Sequence, residues 1–131
     1  MTFAKRVYAL AGIYGLLVLT PQYFTEAQTG RDFPPPITHP EFYYGFVGTA
    51  LAWQLAFLVM ATNPARYRAL MPATILEKLG FGVATVLLFA QDRLSGFVTA
   101  FGGVDLLLGV LFAAAYVKTS GARLSSGLRG P

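Results

Sequence analysis

The chain has 131 residues, 55% hydrophobic and only 12% charged, with a formal net charge of +4 and no cysteine. Its mean hydropathy is +0.55. Soluble domains carry roughly a quarter charged residues, so this inventory cannot build a water-facing surface of ordinary polarity. The missing cysteine excludes a disulfide framework, a thiolate metal site and thiol redox chemistry.

The apolar residues fall in blocks, and the hydrocarbon core of a bilayer needs roughly 20 apolar helical residues to cross it. The fold implied is an all-α, polytopic membrane four-helix bundle in one domain, residues 1–118, with helices over about 3–24, 42–61, 72–90 and 97–117. The first is the shortest in strictly apolar residues, Val7 to Leu19. Phe3 and Ala4 before it, and Pro21, Tyr23 and Phe24 after it, extend it into the interface. Lys5 and Arg6 ahead of a short apolar core also fit a secretory signal peptide. Tyr23, Phe24 and Glu26 crowd the small-residue site at Thr25 and Ala27, which favours a retained helix.

Residues 21–41 form the one long connection. PQYFTEAQTGRDFPPPITHPE contains five prolines, so an extended, stiff segment packed across the mouth of the bundle is expected. Its aromatics, with Phe42, Tyr43 and Tyr44, suit a membrane interface. The second block, Phe42 to Ala61, has no formal charge. The third, Pro72 to Ala90, carries Glu77 and Lys78 and has proline at a suitable first helical turn. The fourth, Phe97 to Val117, contains Asp105. Residues 119–131, rich in Gly, Ser and Arg, are expected to be a flexible cytoplasmic tail.

Basic residues give an independent count of crossings, because lysine and arginine gather on the cytoplasmic side. Lys5, Arg6, Arg66, Arg68, Lys118, Arg123 and Arg129 fall on one side of a four-crossing chain; Arg31 and Arg93 fall on the other. Both termini are therefore expected to be cytoplasmic, in the inner membrane of a cell. The cations serve as topology anchors and contacts to membrane lipids. Nucleic-acid binding lacks the soluble basic face with stacking aromatics that it needs.

Polar groups inside a bilayer raise functional hypotheses. Measured from the inner boundary at about 1.5 Å per residue, Tyr14 lies about 12 Å deep, Gln54 about 11 Å, and Glu77 and Lys78 about 8 to 9 Å; Asp105 lies near the midplane at about 18 Å. Small residues at helical spacing mark packed faces. Glu77 shares a stripe with Ala73, Gly80 and Ala84, Lys78 with Thr74, Gly82 and Thr85, and Asp105 with Gly102, Gly109 and Ala113. Gly45, Gly48, Ala52 and Ala56 give the second helix such a face, and Gly12 and Gly15 give one to the first. The acidic groups are expected to point inward.

Three readings of this polar set compete: hydrogen-bonded glue between helices, a polar pocket for a lipid-like or quinone-like molecule, and a path for protons or ions. His39 and Glu41 form a second candidate, at the outer mouth. Two groups two residues apart do not make a metal site, and serines without a histidine on their side do not make a hydrolytic triad. No catalytic residue, metal or cofactor is assigned.

The segments AGIYGLLVLTPQYF, HPEFYYGF, NPARYR, LEKLGFG and VDLLLGVLF are spread over residues 11–112 and resemble those of a group of hypothetical bacterial proteins. The helix count and the basic connector between the second and third helices resemble small bacterial four-helix membrane proteins of the broad DoxX-like type, a kinship that implies a fold and not an activity. His39 and Glu41 superficially resemble the acid/base residues of the four-helix sterol-isomerase-like group. Here they stand in a loop, and no catalytic assignment carries over. The sequence leads to a non-enzymatic membrane protein, either an accessory partner of a membrane assembly or homo-oligomer, or a binder of a small hydrophobic ligand. The alternative is a membrane enzyme or carrier that uses Glu77 and Asp105 on a lipid-soluble substrate.

Overall fold

The computed structural model describes the backbone of residues 2–127 and the side chains of residues 2–119. Its helices are α1 (Thr2–Leu19), α2 (Glu26–Asp32), α3 (Pro40–Thr62), α4 (Met71–Ala90) and α5 (Gly96–Gly127), with 3₁₀ turns at Thr20–Phe24 and Arg68–Leu70. No strand occurs among the described residues. Among the described residues, four segments are long and apolar enough to cross a membrane: Thr2–Phe24, Pro40–Thr62, Arg68–Ala90 and Gly96–Thr119. They coincide with the four apolar blocks of the sequence. Helical backbone continues past Val117 to Gly127, and residues 128–131 of the expected tail lie outside the described residues.

Local chemistry sets the ends of these helices. Pro72 falls in the first turn of α4, where its fixed φ suits a helix and its missing N–H is not needed. At the other end Asp92 takes a left-handed φ of 56°. Its N–H donates to Phe89 O at 3.0 Å, and Arg93 N–H donates to Leu88 O at 2.9 Å. This is the paired closure of a Schellman motif, with aspartate in the place usually held by glycine. Ser95 then starts α5 by accepting from Val98 N–H through its hydroxyl at 3.3 Å, as an N-cap residue does.

The chain divides into two packing units, one made of residues up to Tyr8 and from Met60 onward, the other of Ala9–Val59. In the first, α4 and α5 run antiparallel in close contact. A Cβ on Gly82 would stand 2.6 Å from Leu106 Cγ and 3.0 Å from the Gly102 carbonyl, and one on Gly109 would stand 2.9 Å from Leu79 Cδ2. A Cβ on Gly102 would overlap the Thr85 side chain. These glycines set how near the two backbones come. The start of α1 joins the same unit: the Tyr8 ring stacks on Phe112 with centroids 4.3 Å apart, and its hydroxyl shares a 2.8 Å hydrogen bond with Thr74 Oγ1.

In the second unit α1 meets α3 through Gly12 and Gly15. A Cβ on Gly12 would come within 2.8 Å of Leu58, and one on Gly15 would overlap the Gln54 side chain. The connection between them differs from the extended segment expected. Residues Glu26–Asp32 form a helix, with Glu26 in its first turn and Arg31 in its last, the charge order that a helix dipole favours. The Pro36 and Ile37 backbone folds over it at Gly30, where a Cβ would lie 3.0 Å from Pro36 Cα. Tyr43 donates to Gln22 O at 2.7 Å and Tyr44 to Glu26 Oε2 at 2.9 Å. Four of the five prolines follow α2, and the fifth, Pro21, opens the 3₁₀ turn before it.

Two expected packed stripes are corrected. On α3, Gly45 and Ala52 are exposed, and nothing lies within 4 Å of where a Gly45 Cβ would be. The buried positions are Val47, Ala50, Gln54, Phe57 and Met60. On α4, Gly80 and Ala84 are exposed, whereas Thr74, Lys78, Gly82 and Thr85 are buried. The face of Lys78, not that of Glu77, meets the protein interior. A small residue permits close approach but does not require it: Gly82 lies on the face that is used and Gly80 on one that is not.

Candidate functional site

Glu77, Lys78 and Asp105 come together in the first unit. Lys78 Nζ lies 3.5 Å from Glu77 Oε2 and 3.7 Å from Asp105 Oδ1. Its side chain is 4% exposed, against 18% for Glu77 and 14% for Asp105. The arrangement follows from local sequence. Gly102 and Gly109 stand one turn to either side of Asp105, and both are buried. Their missing side chains bring the α5 backbone against α4, and a Cβ on Gly109 would sit 3.5 Å from Lys78 Cβ. Asp105, a short side chain, thereby reaches the ammonium group.

Two carboxylates around one ammonium leave one formal negative charge in excess. Charges this well enclosed interact more strongly than in water, and each needs its partner to offset lost hydration. Lys78 serves both carboxylates at once. Glu77 Oε2 accepts no hydrogen bond among the described residues, and Glu77 lies at the edge of the packed face, beside the open space at Gly80.

One turn from Lys78 on the same face of α4, Thr74 bridges Tyr8 and the backbone, donating to Met71 O at 2.7 Å. Tyr8 is fully buried. Sequence reasoning chose Tyr14 by depth and passed over Tyr8. The signal available was Ala4 and Ala11 at helical spacing around it, both buried as well.

Gln54 and Tyr14 belong to the second unit. Gln54 is 1% exposed and donates from Nε2 to Ala50 O at 2.9 Å. Among the described residues its Oε1 accepts no hydrogen bond, and it lies against Gly15, so the amide fills the notch left by that glycine. Tyr14, the residue before Gly15, is half-buried. His39 and Glu41 form an exposed local pair, Nδ1 to Oε1 3.3 Å, with the imidazole tilted over the Phe42 ring at 5.2 Å. Among the described residues, no group of three or more His, Cys, Asp or Glu side chains is placed to hold a metal ion.

Comparison with protein-family models, with curated proteins and with solved structures finds no match for this chain.

Proposed function

We propose that this protein is a multi-pass membrane protein that acts without catalysis, as a helical scaffold or accessory subunit, with Glu77, Lys78 and Asp105 pinning α4 to α5. Four apolar segments of 23 or 24 residues support membrane insertion. One observation carries the role: Lys78 is buried between two carboxylates, so all three charges are turned on one another and the ammonium presents no open face to a substrate. The exposed side chains fit the same reading, because Leu10, Leu17, Leu76, Leu87, Leu107 and Val110 stand outward on the helices. In water they would cost free energy; against lipid or another membrane helix they do not. On this reading both termini lie in the cytoplasm, and the kinship is with DoxX-like bacterial inner-membrane proteins.

A second reading, a carrier or binder of a lipid-soluble molecule, is favoured by Glu77 alone. Its Oε2 accepts no hydrogen bond among the described residues although it lies 3.5 Å from Lys78 Nζ, and the position of Gly80, one turn on, is open. Copurification from detergent separates the two. Glu77→Gln retains the shape and removes the charge. The scaffold reading expects unchanged bound lipid and partners; specific loss of a copurifying small molecule would favour the second.

A further inference from the structure

Three stretches of chain gather cations at one end of the first unit. Lys118 Nζ lies 3.9 Å from the centroid of the Phe3 ring, which places the start of α1 beside α5. Arg68 stacks on Tyr116 at 3.8 Å and donates to the Tyr116 carbonyl at 3.3 and 3.4 Å. Both cations are thus held in position by aromatic rings. Lys5 and Arg6, in the opening turns of α1, and Arg66, just before the 3₁₀ turn, are exposed.

No described carboxylate of the first unit balances them. Asp92 is at the opposite end of the α4–α5 hairpin, and Glu77 and Asp105 are held by Lys78. Among the described residues none of these five cations forms an ion pair. The N-terminal turn of α4 opens at the same end, with no acidic residue in its first turn and no side-chain cap. Its dipole adds to the positive potential.

We infer that this rim, formed by Lys5, Arg6, Arg66, Arg68 and Lys118, docks the anionic headgroups of membrane phospholipids. The inference rests on the membrane reading above. The rim closes the ends of Thr2–Phe24, Arg68–Ala90 and Gly96–Thr119, the level at which a spanning helix meets lipid phosphates. Arg68 and Lys118 act as fixed posts, and Lys5, Arg6 and Arg66 reach outward. The surface charge complements an anionic leaflet, and basic residues near such a surface each strengthen binding severalfold.

The test uses the full-length protein in neutral detergent, with bound lipid counted by native mass spectrometry during titration with phosphatidylglycerol or phosphatidylcholine. The wild type should prefer phosphatidylglycerol. The triple variant Lys5→Gln, Arg6→Gln, Arg66→Gln should lose about a hundredfold in affinity for it. The charge-conserving variant Lys5→Arg, Arg6→Lys, Arg66→Lys and the variant Arg93→Gln, at the opposite end of the α4–α5 hairpin, should both stay within about twofold, since each leaves the charge of the rim intact. Equal binding of the two lipids, or an unchanged triple variant, would overturn the inference. Displacement of phosphatidylglycerol by equimolar inorganic phosphate would assign the rim to a free anion and overturn it as well. Failure of the wild type to enter neutral phosphatidylcholine vesicles would overturn the membrane reading itself, and this inference with it.

Discussion

Replacing Lys78 by methionine gives the sharpest energetic test of the ionic pin. The ammonium stands 3.5 and 3.7 Å from its two carboxylates. At an effective dielectric constant of about 20, each contact contributes about 5 kcal/mol of Coulomb attraction. The two carboxylate oxygens are no farther apart than the two distances together allow, so they repel by at least about 2 kcal/mol. Desolvation of all three groups offsets much of the difference, and breaking such a cluster by removing one member costs about 3–5 kcal/mol. Lys78→Met is thus expected to destabilise by about that amount, because two like charges stay behind without their counterion. The triple replacement Glu77→Leu, Lys78→Met, Asp105→Leu should recover most of the loss, since apolar side chains of similar volume need no partner. Unfolding by sodium dodecyl sulfate in bicelles measures both. A Lys78→Met midpoint equal to that of the wild type, or a triple variant no better than the single one, would refute the reasoning.

Other expectations follow from the packing. Gly102→Ala drives a methyl group into Thr85 and should cost about 1–3 kcal/mol, whereas Gly103→Ala, in open space one residue on, should be neutral or stabilise by up to about 1 kcal/mol; the same unfolding assay compares them. Asp92→Gly removes the strain of a left-handed aspartate and should stabilise by about 1 kcal/mol, with Asp92→Val acting in the opposite direction. Tyr43→Phe deletes the bond to Gln22 O, and limited proteolysis of residues 25–39 should run about fivefold faster for a local loss of about 1 kcal/mol. His39→Ala should change stability by no more than about 0.5 kcal/mol, because its contact with Glu41 is fully exposed to solvent competition.

The helices were legible in the sequence because a segment long and apolar enough to cross a bilayer is an unbroken apolar run, and these stand out whatever their neighbours. Pro72 marked the start of α4 through its backbone geometry alone. The meeting of Lys78 with Asp105 was half legible. The glycines around Asp105 announced close approach, and Lys78 shared a stripe with Thr74, Gly82 and Thr85. The face of Glu77 was misjudged because Gly80 and Ala84 look like packing residues at that spacing. Small residues permit close approach without requiring it, and which stripe is used depends on what the opposite helix offers. Gly45 and Ala52 misled for the same reason. Helix α2 was hidden by the prolines that follow it, although Glu26 and Arg31 already stood in the order a short helix prefers. Tyr8 was missed because depth along a helix says nothing about direction around it.

The pairing of charges also bears on what the protein can do. Lys78 lies 3.5 and 3.7 Å from the carboxylates of Glu77 and Asp105, so the three charges are turned on one another. The outward faces of the helices, by contrast, carry large apolar side chains suited to lipid or to other membrane helices. On the proposed scaffold reading, these faces are the contact surfaces.

Four crossings of a membrane are the premise on which the other proposals stand, and the absence of native cysteine makes the direct test clean. Single cysteines at Thr2, Gln28, Asn63 and Gln91, all exposed positions, are labelled with a membrane-impermeant maleimide in sealed vesicles of one orientation. Four crossings require Gln28→Cys and Gln91→Cys to react from one side, and Thr2→Cys and Asn63→Cys from the other. Labelling of Gln28→Cys and Asn63→Cys from the same side would contradict the account.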